Sequence, residues 1–147
     1  MKKTDDFYLN LALKQAKKAK QLGRVPIGAV IVQNGEVVVQ TYNQKDDLRD
    51  ATAHAEMLAI RRAGKKIGPN LDDCVMYVTL KPCLMCLSAA YWAHVKRVVY
   101  GLDRQPGLEK YFVTTRDLSD KMMGDLVLRK MKIEKGVMPA DYRDVIQ

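Results

Sequence analysis

Apolar residues recur at helical spacing from Thr4 to Leu22: Tyr8, Leu11, Ala12, Ala16, Ala19 and Leu22 form one stripe, and Gly23 supplies a stop. Lys14, Lys17 and Lys18 share the outer face, which reads either as a solvated helix surface or as a nucleic-acid contact. Ile27 to Val32 is a nearly continuous apolar run, the pattern of a strand covered on both faces. Asn34-Gly35 then signals a hairpin, with Glu36 to Tyr42 as the return strand. Residues 44–50 are polar and read as a loop, and 54–66 suit a helix. Val75 to Leu80 is a further strand, Pro82 fits the first position of a helix running through Trp92, and Arg97 to Tyr100 is the next strand. A strand–helix–strand unit implies parallel pairing with a right-handed crossover. Beyond Gly101, residues 107–124 look partly helical, Leu128 to Glu134 alternates like an edge strand, and Asp141 to Gln147 suits a short helix. The expected fold is α/β, three layers with a central mixed sheet of about five strands between helices.

A length of 147 residues fits a single domain spanning 1–147. With 48% hydrophobic and 29% charged residues, the chain is neither disordered, nor collagen-like, nor a disulfide-rich miniprotein. The net charge of +8 permits a polyanionic partner without demanding one. No apolar run approaches the roughly 18 residues of a membrane span. The N-terminus turns acidic at Asp5-Asp6, where a signal peptide would turn apolar, so no export is indicated. Three cysteines, Cys74, Cys83 and Cys86, without an export signal argue for reduced thiols in the cytoplasm.

Two short segments carry chemistry: Ala53-His54-Ala55-Glu56 and Pro82-Cys83-Leu84-Met85-Cys86. Residues three apart face one side of a helix, so both thiols belong to the first turn after Pro82. There the helix dipole and free N–H groups favour thiolates, and two adjacent thiolates suit zinc. His54 is the natural third ligand, which leaves one coordination position open, as in a catalytic rather than a structural zinc site. Zinc lowers the pKa of a water in that position from about 16 towards roughly 7. Glu56, two residues on, is placed to shuttle the proton of that water to a leaving group. The expected cofactor is therefore one Zn2+ per chain, with His54, Cys83 and Cys86 as ligands. The combination with proline before the first cysteine matches the signature of zinc deaminases. Cys74 reads as a buried small hydrophobe, and His94 as a cap or surface group. A zinc-stabilised binding module without turnover would leave Glu56 without a use.

At these residues the chain resembles the cytidine-deaminase-like superfamily. The resemblance implies a hydrolytic deaminase that converts an exocyclic amino group to a carbonyl and releases ammonia. It also implies a homo-oligomer, a dimer in the simplest case. Asn43 matches an asparagine that contacts the substrate ring, and its other reading is a turn residue after a strand. Ala55, between ligand and shuttle, is a further substrate contact on the same ground. Tyr91 and Trp92 either pack the core or a subunit interface, or wall the base pocket. Val25-Pro26-Ile27-Gly28-Ala29-Val30 and Thr52-Ala53-His54-Ala55-Glu56 resemble bacterial tRNA adenosine deaminases. Leu71-Asp72-Asp73-Cys74, the segment from Cys86 to Ala93 and Gly107 to Asp117 resemble bacterial guanine deaminases. The chain also ends near Gln147, where the tRNA-type enzymes continue into a basic helix. The expected substrate is thus a free nucleobase or nucleoside such as guanine or cytosine. The alternative is adenosine in tRNA, converted to inosine at the wobble position. Lys81 stands where both branches carry glutamate, which brings a positive charge towards the metal shell unless the side chain reaches outward.

Overall fold

The structure, a computed structural model, describes residues 2–104, 108 and 131–147. Helix α1 (Asp5–Gln21) is followed by strands β1 (Gly28–Gln33) and β2 (Glu36–Tyr42), then helix α2 (Ala55–Ile67). Strand β3 (Cys74–Leu80), helix α3 (Leu84–Trp92) and strand β4 (Arg97–Leu102) come next. Strand β5 (Lys132–Lys135) and helix α4 (Tyr142–Ile146) complete the described elements. The expected helical stretch at 107–124 and the start of the strand expected from Leu128 lie outside the described residues, apart from the buried Leu108.

The sheet order is β2-β1-β3-β4-β5. β1 pairs antiparallel with β2 and β3, whereas β3, β4 and β5 run parallel, so the sheet is mixed as expected. Alternation along the inner strands divides two apolar layers. Val30, Val32, Tyr77 and Val99 pack with Tyr8, Leu9 and Ala12 of α1. Ala29, Ile31, Met76, Val78 and Val98 pack with Ala55, Ala59 and Ala63 of α2 and Leu87 and Ala90 of α3. Period-two strands sandwiched between helices give a three-layer α/β/α architecture.

The buried stripe of α1 is Tyr8, Leu9, Ala12, Leu13, Ala16 and Ala19. It is rotated from the expected one: Leu11 is only partly buried and Leu22 is exposed. Gly28 explains the rotation. A Cβ there would meet the Ala12 carbonyl oxygen at 2.0 Å and the Ala16 nitrogen at 2.7 Å. The helix backbone rests on a glycine, so only its small residues can face that point. The outer lysines of α1 are partly engaged within the chain. Lys17 pairs with Asp141 at 2.7 Å, Lys20 donates to the Asp144 carbonyl and Lys18 lies over the Tyr42 ring. That face clasps α4, which weakens its reading as a nucleic-acid contact.

At the N-terminal ends of β3 and β4, Arg97 binds both Asp5 and Glu134, and Tyr77 donates to Asp5 at 2.8 Å. This ion cluster ties α1 to the sheet at the end opposite Leu80 and Leu102. The other end is therefore where loops and helix starts converge.

Candidate metal centre and active site

Three chain segments meet at the end of the sheet where β3 finishes. β3 runs into Lys81 and Pro82, and Cys83 caps the N-terminus of α3. Pro82 thus precedes the cap and lies two positions before the first helical residue, Leu84, instead of occupying that position as its sequence context predicts, because Cys83 takes an extended conformation. His54 caps α2 in the same extended conformation. Asn43 follows the last residue of β2, Tyr42, which pairs with Gly28, and Gly28 in turn donates to Thr79 of β3. Both helices therefore begin at one point, with their positive dipole ends towards it.

His54 Nδ1 lies 3.8 Å from Cys83 Sγ and 3.6 Å from Cys86 Sγ. These three form the one candidate metal group among the described residues, with all ligand atoms within 4.8 Å of one another. Tetrahedral zinc with ordinary Zn–N and Zn–S lengths sets N···S separations of about 3.6 Å. The donor set and its spacing fit one Zn2+ per chain. Glu56, 4% exposed, lies against the same group, and Cys86 Sγ donates to its Oε2 at 3.6 Å.

The electrostatics follow from burial and from this contact set. The Cys83 thiol is held down to about 4 by the hydrogen bond from Cys86, helped by the one to His54. Cys86 is pushed up because it serves as donor to Cys83 and is buried. His54 is raised by its hydrogen bond to Cys83, with burial opposing. Glu56 is raised by burial first and by the neighbouring Cys83 charge second. The group therefore holds one ready thiolate and several protons that a metal would displace.

The other expected site residues divide. Asn43 is buried, and its Oδ1 accepts from the Lys45 backbone N–H at 3.0 Å. That bond fixes the amide and leaves Nδ2 as the group to offer a ligand. Ala55 is fully buried, with its carbonyl accepting from the Thr41 hydroxyl. Trp92 is not brought to the centre. It closes α3 nine residues beyond Cys83, about 13 Å along the axis, and is 83% exposed. This exposure excludes core packing. Tyr91 is partly buried against the core. Lys81 lies with Nζ 5.6 Å from the Tyr100 ring centre. Cys74 is buried, and His94 is an exposed residue at φ +62° beside Asp72.

One residue was hidden from sequence reasoning. Thr41, 1% exposed on β2, donates its hydroxyl to the Ala55 carbonyl at 2.6 Å, bracing the first turn of α2 between His54 and Glu56. Threonine is an ordinary strand residue, and no spacing rule links position 41 to position 55.

The model of the cytidine and deoxycytidylate deaminase zinc-binding region matches residues 2–102. The tRNA-specific adenosine deaminase of Aquifex aeolicus is 41% identical over 104 residues, 69% of this chain and 69% of that protein. The enzyme of the same name from Bacillus subtilis is 45% identical over 98 residues, 66% of this chain and 61% of that protein. Among solved structures, one from a study of A-to-I editing by tRNA:A34 deaminases superposes with a TM-score of 0.81 at 30% identity, covering 95% of this chain and 98% of that one. The guanine deaminase of Bacillus subtilis superposes with a TM-score of 0.68 at 33% identity, covering 94% and 88%. Among the described residues, no helix is long and apolar enough to cross a membrane. With its metal group, its buried acid and this match, the chain belongs to the cytidine and deoxycytidylate deaminase family of zinc-dependent hydrolytic deaminases.

Proposed function

We propose that the chain deaminates adenosine in tRNA to inosine, which places the reading ranked second on sequence above the free base. The observation that carries it is the identity of 41% and 45% to two tRNA-specific adenosine deaminases. A free base such as guanine remains the second reading, supported by the 33% identity to a guanine deaminase.

In this reading His54, Cys83 and Cys86 hold the metal, which when bound supplies the Lewis acidity that makes water nucleophilic near neutral pH. The two helix N-termini and the lowered Cys83 favour the thiolate form those ligands need. Glu56 Oε2 takes a proton from the attacking water and passes it to the ring nitrogen beside the reacting carbon. A second proton reaches the exocyclic nitrogen by the same carboxylate, the C–N bond breaks, and ammonia leaves with its electron pair as the C=O forms. Burial raises Glu56 above its ordinary value, which favours a carboxyl that can give back the proton it takes. Asn43 Nδ2 donates to an acceptor nitrogen of the ring and fixes its orientation.

We place the chain in a reducing compartment, the cytoplasm, where the thiols stay available. We also infer a homodimer through α3. A helix apolar all round is buried on every side, yet Leu84, Met85, Ser88 and Ala89 of α3 are only partly covered, and Trp92 is bare.

The test is to incubate zinc-loaded protein with an anticodon stem-loop carrying adenosine at the wobble position, with free adenosine and with guanine. Inosine and ammonia from the stem-loop are expected. Ammonia from guanine alone would overturn the reading. Glu56→Gln, which keeps the size of the side chain, retains zinc and loses activity by about 10²–10⁴-fold. Loss of zinc in that variant would make Glu56 a ligand rather than a shuttle.

A further inference from the structure

The loop between β2 and α2 runs from Asn43 to the candidate metal ligand His54. Gln44 N–H donates to the Ala53 carbonyl at 3.1 Å, Leu48 N–H to Gln44 at 3.0 Å and Asp50 N–H to Lys45 at 3.0 Å. The loop is thus closed on itself by its own backbone. Two of its three acids serve as braces. Asp47 accepts from Arg24 at 2.7 Å, and Asp50 accepts from the Thr52 N–H and hydroxyl at 2.9 and 2.8 Å and pairs with Arg61. The third, Asp46, lies near enough to Arg24 to act on its charge.

The loop's own cations are placed differently. Lys45 and Arg49 are exposed, and their side chains make no ion pair or hydrogen bond among the described residues. Lys45 follows Asn43 by two residues, is tied to it through the Asn43 Oδ1 bond, and its charge is felt at His54. Arg49 sits at φ +51°, a left-handed conformation that glycine or asparagine adopts with less strain. The strain holds a long cation at the loop tip, next to Leu48, which is 51% exposed. A free base carries no charge for these groups to meet. A nucleotide within a strand carries a phosphate on each side, and a base drawn out of an RNA loop leaves unstacked neighbours.

We propose that the loop 44–50 grips the RNA strand on both sides of the target nucleotide. Lys45 and Arg49 take the flanking phosphates, and Leu48 packs on the neighbouring base. This assignment rests on the RNA reading of the site above, and it names residues that turn a base pocket into a strand-binding one. The same clamp holds the target while Asn43 receives its ring.

The experiment uses zinc-loaded Glu56→Gln protein and the adenosine stem-loop, with binding followed by fluorescence anisotropy from 50 to 300 mM salt. Lys45→Glu and Arg49→Glu each weaken binding by tenfold or more, and each lowers the slope of log affinity against log salt by about 0.7. Arg49→Lys retains most of the affinity. In the active protein the loss falls in KM, while zinc content and thermal midpoint hold. Lys14→Glu, the same charge change on the outer face of α1, stays within twofold. The proposal is overturned if Lys45→Glu and Arg49→Glu bind as the parent does, if Lys14→Glu costs as much, or if poly-glutamate competes as well as single-stranded RNA. A parent protein that neither binds nor deaminates the stem-loop but acts on guanine would refute the RNA reading itself and this assignment with it.

Discussion

Valine in place of Thr41 tests how the first turn of α2 is held. The two side chains have nearly the same shape, so the change replaces a hydroxyl by a methyl group at a site 1% exposed. The hydroxyl donates to the Ala55 carbonyl at 2.6 Å and lies 3.4 Å from that of Ala29. A lost hydrogen bond costs about 0.5–1.5 kcal/mol net. The cost sits at the low end here, because Ala55 is helical and its carbonyl faces the amide one turn on. A methyl group, however, needs about 3.3–3.6 Å from a carbonyl oxygen, so strand and helix must part by roughly 0.7–1 Å. Relief of that overlap adds about 1 kcal/mol. The total, about 1.5 kcal/mol, lowers the melting midpoint by about 3–6 °C in a chain of this size. Because Ala55 lies between His54 and Glu56, the same displacement reaches the ligand and the shuttle, and kcat/KM falls by about tenfold. Thr41→Ser restores the donor and most of both losses. Calorimetry, a chelator competition for zinc and steady-state rates measure the three consequences. If valine leaves zinc affinity and kcat/KM within twofold of the parent, the hydroxyl does not position the helix and the argument fails.

Zinc uptake should release protons, and affinity should rise with pH, because Cys86 and His54 are both raised above their ordinary values whereas Cys83, lowered to about 4, contributes least. Titration calorimetry in two buffers of different ionisation enthalpy reads about one to two protons per zinc, and a buffer-independent heat would contradict the assignment. Gly28→Ala should cost several kcal/mol or prevent folding, because its Cβ would stand 2.0 Å from the Ala12 carbonyl oxygen and lift α1 from the sheet; a melting midpoint within 3 °C of the parent refutes that close approach. Trp92→Glu tests the inferred dimer: by light scattering the variant should run as a monomer and the parent as a dimer, and equal masses would remove α3 from the interface.

The metal group was legible because its chemistry is local. His54 and Glu56 lie two apart and Cys83 and Cys86 three apart, and such spacings constrain geometry through one helical turn. The strand run from Val75 and the crossover to Arg97 were legible for the same reason, since β-rich runs around an apolar helix leave few topologies. What escaped is set by contacts distant in sequence. The stripe of α1 turns on Gly28, sixteen residues after Ala12, and Thr41 meets Ala55 across a loop. The exposure of Trp92 was illegible because an apolar helix reads alike whether its cover comes from its own chain or from another.

Charge shows why the site can keep Glu56 buried. Two thiolates balance a divalent zinc, so the ligand group is close to neutral and the carboxylate has no full positive partner within it. Burial raises Glu56, as does the neighbouring Cys83 charge. The N-termini of α2 and α3 together supply about one unit of positive potential at that point without a side chain to shed or gain a proton. A lysine ammonium in the same place would hold the carboxylate ionised and remove its value as a proton relay. Lys81, two residues before a ligand, is the group that could do so. Its Nζ lies 5.6 Å from the Tyr100 ring centre, with Asp103 also within reach of its charge, so β4 and the residue that follows it offer this ammonium partners other than Glu56.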